Sequence, residues 1–356
     1  MVALDGTKRL HDLDEAWQIE RTAPQLRAVV RAGESLGARF ASGPRALAVR
    51  TLPLTTLPYP TRYAFGGAAF SPAPFVTLTH RCLLVQFLQG GTPKNLLFNP
   101  TDIEAARATP FFARLAGHFG EALTRILAAR FAPLEAQLAS LGLRPSDIDY
   151  VAFDHFHTQD LRGLLGEGER PPRFPGATLL APRNEWEDWD DLHPMQRAWF
   201  IRDGKKGVCT ERVALIEGDL ELGNGVMLLR TPGHTVGNQT LFVNTDNGVW
   251  GISENGTAAD NWAPLESKIP GLSATCRLQE LDVVLNSNTL EHHVLQYASM
   301  MLERSVASRV ARAPGFVQMF PSSEVTPALS AVGLSPTLLH RAITCGELAR
   351  PRSPGT

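Results

Sequence analysis

Cysteine is scarce in this sequence and shows no clustering. Four occur in 356 residues, at Cys82, Cys209, Cys276 and Cys345. None falls in a C-x-x-C pair, so a disulfide framework and a thiolate metal knuckle are both unexpected, and free thiols in a reducing compartment are the reading. Long apolar runs are missing as well: no stretch reaches the roughly 18 residues a membrane-crossing helix needs. The opening residues, Met1-Val2-Ala3-Leu4-Asp5-Gly6, lack the apolar segment of a secretion signal. A cytoplasmic location with no membrane partner is therefore expected. A charge excess of one sign is also lacking. The net charge of −2 offers no electrostatic footprint for nucleic acid. No internal repeat is apparent.

What remains is a globular composition, 44% hydrophobic and 20% charged. The length suits one large domain with additions, or two modest ones. Residues 9–38 carry helical spacing through Leu10, Leu13, Trp17, Leu26, Val29, Val30 and Leu36. Pro24 is expected to divide that run. Residues 1–46 thus read as an N-terminal helical extension, 47–330 as the main domain, and 331–356 as a C-terminal helix and tail. Phe75 to Phe87 and Asn95 to Phe98, parted by Gly90-Gly91, read as a hairpin. Thr101 is placed as a helix N-cap, with Glu104 completing a capping box. Residues 122–141 read as helix with a break at Pro133.

The most informative stretch is Phe153-Asp154-His155-Phe156-His157-Thr158-Gln159-Asp160. It follows an apolar, strand-like run. Side chains of an extended segment alternate faces, so His155 and His157 point the same way and can grip one ion. A second segment, Leu229-Arg230-Thr231-Pro232-Gly233-His234-Thr235, reads as a strand ending in a Pro-Gly turn. Such a turn presents His234 at a set angle. Three imidazoles with an open fourth position are the arrangement of catalytic zinc.

Together these two segments resemble the metallo-β-lactamase fold superfamily, whose signature runs T-H-x-H-x-D-H and later T-P-G-H-T-x-G. The likeness covers about residues 70–300 and includes Pro145 to Val151, Leu96 to Thr101 and Gly218 to Leu222. It implies an α+β, four-layer αββα sandwich. It also implies a first metal site of His155, His157 and His234. At the second site the match departs. Gln159 stands where the family has Asp, Asp160 where it has His, Glu254 where it has a bridging Asp, and Asn288 where it has a last His. His292 and His293 fall in a helix-like run and are expected to point elsewhere.

Two metal arrangements follow. In one, a single zinc on three histidines activates water, with Asp160 or Glu254 as general base. In the other, Asp160, Glu254 and the amide oxygens of Gln159 and Asn288 hold a harder ion such as Mn²⁺ or Mg²⁺. The single ion is favoured, because neutral amides hold a zinc-like ion poorly. The implied activity is metal-dependent hydrolysis of a small ester, lactone or amide. Two alternatives stay open: a single-iron oxygenase or redox enzyme using His155, His234 and Glu254, and a non-catalytic binding protein with a degenerate site. A small-molecule substrate is the expected partner, and self-association is left open.

Three further readings concern ordinary structure. Arg183 to Pro194 reads as an exposed amphipathic helix whose acids face water, with Trp186, Trp189 or Trp199 available to line a pocket. Lys205-Lys206 reads as a solvated turn. His11, His80, His118, His193 and His340 have no partners by spacing and read as structural.

Overall fold

Residues 83–87 read Leu-Leu-Val-Gln-Phe, and an extended run of this kind must bury both of its faces. The computed structural model, which describes residues 4–120, 129–326 and 334–349, shows what covers each face. The run lies in a sheet whose spatial order is β16 (Thr344–Gly346), β2 (Ala48–Pro60), β3 (Phe75–Gln89), β4 (Thr92–Phe98), β5 (Tyr150–Ala152), β6 (Thr178–Pro182) and β7 (Val213–Ile216). A further strand, β15 (Ser323–Val325), also pairs with β3. The second sheet runs β1 (Lys8–Leu10), β8 (Asp219–Gly223), β9 (Val226–Arg230), β10 (Gln239–Thr245), β11 (Gly248–Ser253) and β14 (Met319–Pro321). A small ribbon of β12 (Arg309–Val310) and β13 (Ala313–Val317) stands apart.

The period of two sorts the side chains between layers. Leu83, Val85 and Phe87 point inward and meet Leu222, Leu228 and Leu241 of the other sheet. Leu84 and Leu97 point outward and pack with Leu134 and Leu138 of the helix Leu134–Ser140. On the far side, Met227 and Leu229 face Val29, Leu36 and Phe40 of the helix Thr22–Ser42, and Met300, Leu302 and Val306 of the helix His293–Val306. Each such buried side chain contributes roughly 1.5–3 kcal/mol. The result is helix, sheet, sheet, helix: the four-layer αββα sandwich.

Several local expectations shift. The N-terminal helical segment is present, but it is built into the sandwich. Strand β1 pairs with β8, and the helix Thr22–Ser42 forms part of an outer layer. Pro24 sits in that helix's first turn, where no intrahelical donor is lost, and so does not divide it. The hairpin is there as β3 and β4, with Gln89 opposite Thr92. Gly90 and Gly91 take φ of 56° and 81°, as a two-residue turn matched to strand twist requires. Asp102, not Thr101, caps the next helix, Ile103–Ala106, through the amides of Glu104 and Ala105. The helix Leu134–Ser140 starts directly after Pro133, and the part of that expectation covering 122–128 lies outside the described residues. At the C-terminus, residues 334–349 hold β16 on the edge of β2 rather than a helix. The expected tail, 350–356, lies outside the described residues. Among the described residues no helix is long and apolar enough to cross a membrane.

Strand direction gathers the loops that matter. Strands β4, β5, β6 and β7 are mutually parallel, and β11 is parallel to β14. Residues that follow β4, β5, β6, β11 and β14 therefore emerge together, as they do at ligand sites of open α/β sheets.

Candidate metal centre

The loop after β5 carries His155 and His157, and the turn between β9 and β10 carries His234. Their ring centroids lie 4.5, 4.6 and 5.0 Å apart. One ligand nitrogen from each falls within 4.8 Å of the others, and all three residues are buried. Local backbone explains the convergence. Gly233 has φ of 131°, and a Cβ there would lie 2.2 Å from the backbone nitrogen of Gln296. Only glycine lets the turn press so closely on the helix His293–Val306. Thr158, directly after His157, is held at φ 65° with its amide on the Trp199 carbonyl. A left-handed threonine is a strained choice, and such strain concentrates at functional loops.

Partners on the outward side of each ring decide which nitrogen faces in. The Nδ1 of His155 lies 2.8 Å from Asp154 Oδ1, which leaves its Nε2. The Nε2 of His157 lies 2.5 Å from Gln196 Oε1. That amide is oriented by its own donations to the His234 carbonyl and to Glu291. An amide oxygen only accepts, so His157 carries its proton on Nε2. Its Nδ1 is buried with no partner among the described residues. The Nδ1 of His234 lies 3.5 Å from Gln296 Nε2. Metal-binding histidines are commonly held as His155 and His157 are, by acceptors behind the ring.

Electrostatics favour the same use. Burial, with His155 as neighbour, holds His157 and His234 well below the usual histidine range. Both are therefore neutral, the form that ligates. Burial opposes charge on Asp154, yet His155 and hydrogen bonds from His155, Asn99 and Ser322 outweigh it and hold the carboxyl below its ordinary value. The Asp154 carboxylate in turn raises His155 against the effect of burial. A zinc ion fits this donor set: three buried imidazoles, one orphaned nitrogen, and acceptors behind the His155 and His157 rings.

These histidines form the polar end of a cavity of 340 Å³ that Asp154, Glu254, Gln159 and Asn288 also line. Its lining also includes the apolar side chains of Leu57, Ile103, Phe112, Leu115 and Trp199, together with Arg107 and Arg130. Glu254 follows β11 and lies 2.6 Å from Ser323 Oγ. Burial and Asp154 push its carboxyl up to about 8. The Oδ1 of Asn288 is buried without a partner among the described residues. Gln159 turns its amide nitrogen to Thr101 Oγ1 and the His157 carbonyl.

Asp160 does not join them. Its carboxylate is taken by Arg162, at 2.9 Å from Nε and 2.5 Å from Nη2, and it does not line the cavity. The guanidinium two residues on offers a bidentate partner close by, and the side chain turns to it. His293 bonds back to the Thr289 carbonyl at 2.6 Å, away from the cluster.

Other readings also change. His80 lines the cavity between Ser323 and Thr101. Burial holds it down at about 4. Of the acids in 183–194, Glu185 is buried: it accepts the amides of Phe156 at 2.9 Å and Gly237 at 3.1 Å. Trp189 packs in the core while Trp199 lines the cavity. Lys205 is folded back onto Asp190 at 2.9 Å and over the Trp186 ring, so it is no solvated tip. Asp154, Glu185, Gln196 and His80 are the residues that spacing alone missed. The Asp adjacent to His155 was the one local signal.

No family model matches the chain. Over 109 residues it is 31% identical to the N-acyl homoserine lactonase AiiA of Bacillus thuringiensis subsp. kurstaki, a stretch that is 31% of this chain and 38% of that protein. It is likewise 31% identical over 119 residues to the N-acyl homoserine lactonase AttM of Azorhizobium caulinodans, covering 30% of this chain and 40% of that one. The matched stretch thus spans well under half of either relative. Among solved structures, AidC, a dizinc quorum-quenching lactonase, superposes with a TM-score of 0.52 at 13% identity, over 85% of this chain and 95% of its own. At that identity the shared property is the fold. The chain has the metallo-β-lactamase fold, and the relatives it resembles in sequence are N-acyl homoserine lactonases.

Proposed function

We propose that this chain is a metal-dependent lactonase acting on a small acylated lactone, with one zinc ion held by His155, His157 and His234. One observation carries the reading: three buried imidazoles meet at a cavity that is also lined by the apolar side chains of Leu57, Ile103, Phe112 and Leu115. The polar end suits a lactone ring, and Leu57, Phe112 and Leu115 suit an acyl chain. The sequence likeness to N-acyl homoserine lactonases supports that substrate class.

Zinc bound there would lower the pKa of a water molecule towards roughly 7 and polarise the ring carbonyl. Glu254 serves as the proton carrier. It takes a proton from water as the carbonyl carbon is attacked, and returns it to the ring oxygen as the C–O bond breaks, giving a hydroxy acid. Asp154 and Gln196 keep the imidazoles in register. Two observations favour a single ion. Asp160 is committed to Arg162, and neutral amides stand at two of the other positions. The single-iron alternative, using His155, His234 and Glu254, leaves out His157, whose orphaned Nδ1 is the clearest vacancy for a ligand bond.

The test is direct. Zinc-loaded protein is mixed with N-hexanoyl homoserine lactone, and acid release is followed with a pH indicator beside the His234→Ala protein. Ring opening by the first and not the second is expected. No ring opening above buffer by the zinc-loaded protein sinks the proposal.

A further inference from the structure

Gln159 and Glu254 stand at two of the positions that the family resemblance assigns to a second metal. In this chain they are joined through protein atoms. Gln159 Nε2 lies 3.0 Å from Thr101 Oγ1. Thr101 Oγ1 lies 2.9 Å from His80 Nε2. His80 Nδ1 lies 2.8 Å from Ser323 Oγ, which lies 2.6 Å from Glu254 Oε1. Thr101, Gln159 and Ser323 are at most 7% exposed, and the His80 and Glu254 side chains are each at 12%. Sheet register supports the middle of this chain of bonds, since Ser323 of β15 pairs directly opposite His80 of β3.

The two ends fix the direction of every proton in between. An amide nitrogen can only donate, and the Gln159 nitrogen is further identified by its 3.1 Å contact with the His157 carbonyl. In the ionised form that can take up a proton, the Glu254 carboxylate can only accept. Each hydroxyl has one proton to give. Thr101 therefore receives from Gln159 and donates to His80 Nε2. Ser323 donates to Glu254 and receives from His80 Nδ1. The arrangement closes only with a neutral imidazole carrying its proton on Nδ1. The other tautomer leaves Thr101 accepting twice, with its own proton outside the run, and sets two acceptors face to face at Ser323, a costly mismatch in a buried place.

We infer that His80 is a positioning residue: through Ser323 it holds the Glu254 carboxylate in the cavity it shares with the three histidines, the service a second ion would otherwise render. This rests on the reading of Glu254 as proton carrier at a one-zinc site. It also assigns a purpose to the lost second site, whose place is taken by a one-way run of hydrogen bonds.

Two measurements test it on the full-length zinc-loaded protein. Nitrogen-15 NMR of the imidazoles, with the His80 signals identified by their loss in His80→Phe, reads the tautomer without any turnover. The Nδ1–H form is expected, and an Nε2–H form or an imidazolium overturns the inference. The second compares variants with N-hexanoyl homoserine lactone as probe. His80→Phe should lower kcat by roughly 10²-fold, the usual scale for a misplaced proton carrier, with KM and zinc content unchanged. His80→Asn keeps a donor near Nδ1 and should recover most of the loss, while His80→Gln, whose donor reaches toward Thr101 instead, should not. Equal losses in Phe and Asn, or zinc lost together with kcat, overturn the positioning role. If wild-type protein opens no lactone, the functional reading falls by itself and the tautomer still decides the inference.

Discussion

The backbone amides of Phe156 and Gly237 donate to opposite oxygens of one buried carboxylate, that of Glu185, at 2.9 and 3.1 Å. Phe156 lies between the first two metal-site histidines, and Gly237 lies three residues past the third. One side chain thus ties together the loops from both sheets. Glu185 has no salt-bridge partner among the described residues, and burial pushes its carboxyl up. Backbone donors offset much of the desolvation penalty, and that exchange is favourable only while both loops stay in place.

Replacing Glu185 by Gln turns one acceptor into a donor facing an N–H group. The expected outcome is a loss of about 2–3 kcal/mol in unfolding free energy and roughly tenfold weaker zinc binding. Denaturant unfolding of the metal-free protein and zinc competition with a chelator read the two effects separately. An unchanged zinc affinity would remove the coupling argued for this residue.

His234→Ala should abolish zinc binding and lactone hydrolysis while leaving the circular dichroism spectrum in place. The imidazole is proposed as a ligand and lies outside the apolar clusters. Metal content measured after dialysis against zinc decides the matter, and a full equivalent retained would mean that the ion sits elsewhere.

Gln196→Leu removes the acceptor behind His157 and the donor to the His234 carbonyl. Zinc affinity should fall by roughly 10–100-fold, with the thermal midpoint of the metal-free protein moving little. A drop in that midpoint with affinity intact would show Gln196 to be structural support only.

Acid sensitivity should trace in part to His340, which does not line the cavity of the three histidines. Burial and the guanidiniums of Arg81 and Arg312 press its pKa down from 6.5 to about 3. Between those values the unfolded chain takes up a proton and the folded chain does not. Stability therefore falls as pH is lowered from about 6.5 towards 3, by at most about 1.4 kcal/mol per unit from this group. His340→Leu should flatten that part of a stability–pH curve, and a curve of unchanged slope would assign the acid loss to other groups.

The legible part of this molecule was the part written locally. His155 and His157 share a face because a strand-like run leads into them, and His234 follows a Pro-Gly turn whose conformation glycine alone permits. The apolar runs of β3 and β4, parted by Gly90-Gly91, likewise announced a hairpin, while the two-sheet sandwich was implied by the family resemblance. Residues acting across the fold were silent. His80 comes from the middle of β3, Glu185 from an acidic stretch that otherwise faces water, and Gln196 from an irregular loop. Nothing beside them in the chain marks their partners. Asp160 misled for the opposite reason: Arg162, only two residues on, captures it before it can turn to the cavity.

Order of synthesis gives the pairing of β15 with β3 a further meaning. Ser322 supports Asp154 at 2.8 Å, and Ser323 bonds both His80 and Glu254. A nascent polypeptide still lacking these two serines already carries every histidine of the cluster, yet leaves Asp154 and Glu254 short of their hydroxyl donors. The ribosome thus delivers the three histidines first and the groups that tune their neighbours later.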